Sequence, residues 1–154
     1  MKLYYTPGAC SLAVHITLCE TGLSFEKESV DLATKKTASG ADFSAINAKG
    51  YIPALQLDSG ELLTEGPAIN QYLADLVPEK KLAPANGTLD RVRVQSWLTF
   101  IGTELHKSFT PLFHPSADDV KAQAKANIAK RLTYVNQELS GKSYLVGDQF
   151  SIAD

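Results

Sequence analysis

Pro7 and Gly8 settle the first structural choice in this chain. Residues 2–5, Lys-Leu-Tyr-Tyr, have the short aliphatic and aromatic character of a strand. From Ser11 the spacing becomes helical over 11–20, with Leu12, Ile16 and Cys19 near one face and Gly22 just past the end. Proline and glycine interrupt a strand, so the chain must turn from strand to helix at residues 6–10, and Cys10 stands at that turn. A thiol in the first turn of a helix faces unpaired backbone N–H groups and the positive end of the helix dipole. Both stabilise a thiolate and lower the thiol pKa. A cysteine is otherwise often a small buried apolar residue, so thiol chemistry and plain packing both stand at this point.

The order continues as alternating short elements. Residues 25–30 are a weaker strand candidate, and 34–47 are polar, with Lys35, Lys36, Ser39 and Gly40 suggesting a loop and a short helix near 42–45. Residues 54–58 alternate, with Leu55 and Leu57 on one face; Ser59-Gly60 is a hairpin turn, and Glu61-Leu62-Leu63 the returning strand. Thr64-Glu65-Gly66-Pro67 opens a helix, with Pro67 suited to its first turn and Ala68, Ile69, Tyr72, Leu73 and Leu76 as its apolar face. The pattern is β-α-β, an irregular stretch, then β-β-α.

Composition then shifts. Residues 78–90 (PEKKLAPANGTLD) read as a linker, which separates an α/β domain at 1–77 from a helical domain at 91–154. Val94, Trp97, Leu98, Ile101 and Leu105 form a helical stripe ended by Thr110-Pro111. Ser116-x-x-Asp119 resembles a helix start, and Val120, Ala124, Ile128, Leu132, Val135 and Leu139 continue at helical steps to Gly141. Phe150-Ser151-Ile152-Ala153-Asp154 is a capping box with a hydrophobic staple. A box announces a helix, so the helical domain is expected to be incomplete here, and a protein ending at Asp154 to be less stable and prone to aggregate.

Function classes narrow with composition. The 154 residues fit one domain or two small ones, and 44% hydrophobic with 21% charged residues describes an ordinary soluble globular chain. A net charge of −2 argues against a general nucleic-acid binder. No apolar run is long enough to span a membrane, and the N-terminus shows no signal-peptide pattern. Two cysteines fit a reducing, cytoplasmic compartment. Cys10 and Cys19 lie ~13 Å apart along the expected helix, too far to pair with each other.

A second constellation follows Cys10. Gly50-Tyr51-Ile52-Pro53 precedes the hairpin; a cis Ile52–Pro53 bond would expose the Ile52 backbone to an extended peptide-like ligand, whereas a trans bond would simply begin an edge strand. Gly66 leaves backbone N–H groups open to a carboxylate, and Glu65 is placed either to accept a ligand ammonium or to compensate the helix dipole. Lys35 is either a partner for another carboxylate or a solvated charge. A ligand with a thiol, a peptide backbone, two carboxylates and an ammonium is glutathione. Thr99, Thr103 and His106 follow at i, i+4 and i+7 on one helix face, where His106 either donates to a sulfur or packs beside a domain interface.

Several segments resemble the bacterial beta class of the glutathione S-transferases: KLYYTPGACSLA, TKKTASG, NAKGYIPALQLDSGELLTEGPAI with QYLAD, TFIGTELHKSFTPLF and GDQFSIAD. The resemblance implies a thioredoxin-like N-terminal domain with cis Pro53, an all-helical C-terminal domain and a homodimer. It implies glutathione contacts at Cys10, Lys35, Ile52, Glu65 and Gly66, a further set at Thr103, Glu104, Leu105 and His106, and a mixed disulfide of Cys10 with glutathione. Relatives often carry asparagine at Thr99 for a contact across the dimer, and threonine has a shorter reach. Ser11 is expected to assist Cys10, and Tyr5 is a competing catalytic candidate because tyrosines near this position activate glutathione in other classes.

Three functions are therefore in play. The first is a transferase, serving detoxification, that joins the glutathione thiolate to small hydrophobic electrophiles. The second is a monothiol reductase of disulfides or peroxides; Ser11, Leu12 and Ala13 after Cys10 exclude a Cys-x-x-Cys dithiol cycle. The third is a non-catalytic transferase-like binding module, against which the joint presence of Cys10, Lys35, Glu65 and His106 counts. Glutathione is a co-substrate, and no cofactor or metal is expected.

Overall fold

Strand β1 (Lys2–Tyr5) lies at the centre of a five-stranded sheet with β2 (Glu26–Asp31), β3 (Lys36–Thr37), β4 (Ala54–Gln56) and β5 (Leu62–Thr64), ordered β3-β2-β1-β4-β5. In this computed structural model, which describes residues 1–154, the chain divides into two units, Met1–Leu82 and Ala83–Asp154. Only the β1–β2 pair is parallel, because α1 (Ser11–Thr21) crosses between those strands; the hairpins β2–β3 and β4–β5 and the β1–β4 pair are antiparallel.

Strand alternation sorts the first unit into layers. Leu3 and its register partner Leu55 face a core with Val14 and Leu18 of α1 and Ile69 and Leu73 of α3 (Gly66–Leu76). Tyr4 and its partner Ala54 face the other way, with Val30, Ile52 and Phe43 of the short helix α2 (Phe43–Ile46). The sheet thus carries α1 and α3 on one side and α2 on the other. Asp42 caps α2 by accepting from the Ser44 N–H, and Gly22 ends α1 in the left-handed conformation that favours glycine, at φ 72.

Two expected helix faces are rotated. In α1, Leu12, Ile16 and Cys19 share a face, but it is the exposed one; the buried face is Ser11, Val14, Thr17, Leu18 and Thr21. Hydroxyls can be buried there because backbone atoms satisfy them: Thr17 donates to the Ala13 carbonyl at 3.1 Å and Thr21 to that of Leu18 at 2.7 Å. In α3, Ile69, Asn70, Leu73 and Ala74 are buried, whereas Ala68, Tyr72 and Leu76 are exposed. The expected strand at 54–58 is shorter, since Leu57 to Gly60 form the turn, and the two-residue β3 lies within the expected loop. Within 78–90, Pro78–Lys80 form a 3-10 turn, Leu82 is buried, and α4 (Leu89–Phe100) already begins at Leu89 under a Thr88 cap.

The second unit is helical. Val94 and Leu98 of α4, Ala124 and Ile128 of α6 (Asp118–Glu138), and Ile152 and Ala153 are its buried apolar positions, and Trp97 stacks on Tyr134 with ring centroids 5.7 Å apart. The expected single helix to Thr110 is instead α4, a π-turn over Ile101–Leu105, a 3-10 turn over His106–Phe109, and the short α5 (Thr110–Phe113), which Pro111 opens rather than stops. Ser116 does not cap α6: Ala117 occupies the cap without a side-chain bond, and Asp118 and Asp119 meet the positive helix end. The box at Ser151 forms its bonds, with Asp154 accepting the Ser151 N–H at 2.9 Å and Ser151 Oγ accepting the Ala153 N–H at 3.2 Å.

Candidate functional site

Cys10 is the residue before the first helical position of α1, and its carbonyl accepts the Ala13 N–H at 3.3 Å. Cys10 is exposed, and its sulfur donates to the Ile52 carbonyl at 3.5 Å in a partly buried hydrogen bond. The Ile52–Pro53 bond is cis. The strand-to-helix turn and the turn before β4 therefore meet at one rim. The Ser11 hydroxyl donates to the Thr6 carbonyl and accepts the Thr6 N–H, both at 3.2 Å, and the residue is 1% exposed. This bracing holds the turn that presents Cys10. Tyr5 packs against His15, with Lys27 over its ring, and lies against the apolar cluster of Leu3, whereas Ile52 belongs to the cluster on the other face of the sheet.

The loop between α2 and β4 is built around Asn47, a buried side chain that sequence reasoning passed over. It donates to the Tyr51 carbonyl at 2.8 Å and accepts the Lys49 N–H at 3.1 Å, closing residues 47–51 into a turn. Lys35 reaches this loop. Its ammonium donates to the Gly50 carbonyl at 2.6 Å, so it is anchored rather than solvated, with two further N–H donors to offer.

Glu65 precedes α3 at φ 70 and ψ 107, and its carbonyl accepts the Ala68 and Ile69 N–H groups at 3.0 Å. Gly66 lies beside the neighbouring turn: a Cβ there would lie 3.6 Å from Pro53 Cγ, an ordinary van der Waals distance. This neighbourhood places Glu65 and Gly66 beside Pro53, and the Ile52 carbonyl in turn meets Cys10. The Glu65 carboxylate is paired with Lys49 at 3.0 Å, and Lys49 also donates to Thr64 Oγ1 at 2.9 Å. Lys49 was not foreseen as a site residue. The hydrogen bond to Glu65 pushes its pKa up, followed by the attraction of the same carboxylate.

In the first unit, Cys10, Ile52, Pro53, Glu65 and Gly66 thus form one rim, continued through the 47–51 loop to Lys35. This rim offers a thiol, backbone edges, the N-terminus of α3, a carboxylate and two ammonium groups.

The second-unit candidates have their own arrangement. Thr99 Oγ1 donates back to the Gln95 carbonyl at 2.8 Å and Thr103 Oγ1 to that of Thr99 at 3.0 Å. Glu104 is ion-paired with Arg131 of α6. The π-turn adds residues to a helical turn between Thr103 and His106, so the expected i, i+4, i+7 face does not continue regularly to His106. Leu105 is half-buried and His106 exposed. No cluster of three or more His, Cys, Asp or Glu side chains suited to a metal is present, and no helix is long and apolar enough to cross a membrane.

Comparison with known proteins returns one family along the chain. The model of the glutathione S-transferase N-terminal domain matches residues 8–76, and that of the C-terminal domain matches residues 100–154. The glutathione S-transferase GstA of Escherichia coli O157:H7 is 50% identical over 155 residues, covering 100% of this chain and 77% of its own length. Among solved structures, a sphingomonad glutathione S-transferase complexed with glutathione is 52% identical with a TM-score of 0.96, over 99% of this chain and 77% of that one. The bacterial beta class glutathione S-transferase of Sphingomonas chungbukensis is 51% identical with a TM-score of 0.96, again over 99% and 77%.

Proposed function

Because the chain belongs to the glutathione S-transferase family, we propose that its first unit holds glutathione along the rim of Cys10, Ile52, Glu65 and Gly66 and that the enzyme transfers the glutathione sulfur to small hydrophobic electrophiles. The observation that carries this reading is the Cys10 sulfur 3.5 Å from the Ile52 carbonyl, on a rim that also bears Glu65 and Gly66. Each feature answers one part of the tripeptide. The cysteinyl backbone pairs with Ile52 as an added strand does. The γ-glutamyl carboxylate meets the α3 N–H groups at Gly66, and its ammonium meets Glu65. Lys35 turns its remaining donors to the glycyl carboxylate. This leaves the ligand sulfur beside Cys10.

Two outcomes follow from that placement. In transfer, the glutathione thiolate attacks an electrophilic carbon, a C–S bond forms and the leaving group departs with its electron pair. In exchange, the Cys10 thiolate attacks the glutathionyl sulfur of a mixed disulfide and the partner thiolate leaves; a second glutathione thiolate then attacks the glutathionyl sulfur on Cys10, giving glutathione disulfide and the free Cys10 thiolate. The exposure of Cys10 favours keeping the second reading beside the first. Thr103, Glu104, Leu105 and His106 stay in the proposal on the family resemblance alone, as do a cytoplasmic homodimer and a role in detoxification. Parallel assays with an aryl halide and with a glutathione mixed disulfide test the reading: turnover of the halide supports a transferase, turnover of the disulfide alone supports a reductase, and neither supports the binding module.

A further inference from the structure

The Lys49–Glu65 pair occupies the place that the ligand ammonium needs. Lys49 offers the same chemical group as the γ-glutamyl end of glutathione, a primary ammonium, and it lies 3.0 Å from Glu65 Oε1. We infer that Lys49 is a built-in competitor that holds Glu65 in the unliganded enzyme and must be displaced by the ligand ammonium, so that Lys49 sets how strongly the site discriminates ligands by that group. The inference rests on Glu65 being the ammonium acceptor, as proposed above.

Three observations support displacement rather than shared binding. The Glu65 backbone is held at φ 70 with its carbonyl committed to the Ala68 and Ile69 N–H groups, so the carboxylate stays rooted beside the start of α3 when Lys49 leaves. Lys49 can leave: its side chain is a flexible four-carbon stem, and the two partners are 47% and 56% exposed, so the pair is weak and exchangeable. The Thr64 hydroxyl, 2.9 Å from the Lys49 ammonium, shows that a neutral partner lies beside the pair. The ligand carboxylate already has donors in the α3 N–H groups at Gly66 and does not require Lys49. The hydrogen bond that Lys49 donates to Glu65 also favours its protonated form, so the competition persists across neutral pH. The unliganded pair is neutral, and an arriving ammonium therefore gains only the difference between two similar ion pairs.

Calorimetric titration of glutathione, and of its desamino analogue lacking the γ-glutamyl ammonium, into the wild type and Lys49→Met tests this, with both proteins repeated in a Glu65→Gln background. Lys49→Met is expected to bind glutathione about two- to fivefold more tightly, in line with the worth of an exposed ion pair. Its affinity for the desamino analogue is expected to stay unchanged, and the gain to vanish in the Glu65→Gln background. Unchanged or weaker glutathione binding by Lys49→Met, or an equal gain for the desamino analogue, overturns the inference while leaving the function proposed for Glu65 intact. A silent Glu65→Gln substitution in the wild-type background overturns the role of Glu65, and the inference with it.

Discussion

At φ 70 and ψ 107, Glu65 adopts a backbone conformation that glycine reaches far more easily than any residue with a Cβ. Such strain costs on the order of 1–3 kcal/mol and persists where the side chain has a use. Glu65→Gly is therefore expected to leave stability unchanged or raise it by about 1 kcal/mol in chemical denaturation, while weakening glutathione binding. Cys10 carries the second residue-scale prediction. Cys10→Ala should fail to acquire a glutathionyl adduct on exposure to glutathione disulfide, read by intact mass, while retaining part of its aryl transfer, because bound glutathione brings its own sulfur. The residues legible in the sequence were those marked by chain punctuation: Cys10 after Pro7-Gly8, Ile52 before Pro53, and Glu65 before Gly66-Pro67. Lys49 and Asn47 were not, because their roles arise from partners up to sixteen residues away and from a turn that no local pattern announces.

The elements hold these residues through two opposed layers. Leu3 is fully buried against α1, α3 and β4, and Leu3→Ala is expected to cost about 2–5 kcal/mol in urea or thermal unfolding. Glu28 of β2 ties the sheet to the 38–41 turn. The Ser39 hydroxyl and then Thr37 hold its carboxyl at about 2, below the ordinary 4.5. Ionised Glu28 therefore stabilises the fold above pH 4.5, and this contribution is lost as pH falls toward 2. Thermal melts of Glu28→Gln through that window should show a flatter acid limb than the wild type. Element order was readable from strand alternation and turn residues, whereas the buried faces of α1 and α3 were not. Apolar spacing overlooked Ser11, Thr17 and Thr21, whose hydroxyls are buried because backbone atoms partner them. The π-turn at Ile101–Leu105 was equally hidden, since its residues read as ordinary helix.

At the scale of the whole molecule, the composition change after residue 77 separated an α/β part from a helical part, and the structure has its units at Met1–Leu82 and Ala83–Asp154. The family match spans both. The proposed activity stands on glutathione binding at the Cys10–Ile52–Glu65 rim. Amide chemical-shift mapping of the full chain during a glutathione titration tests it most directly. Saturable shifts centred on Cys10, Ile52, Glu65 and Gly66 are expected. Absence of saturable shifts would contradict it, as would shifts centred instead on the depression at the start of β1 lined by Met1, Ser24, Phe25 and Asp58.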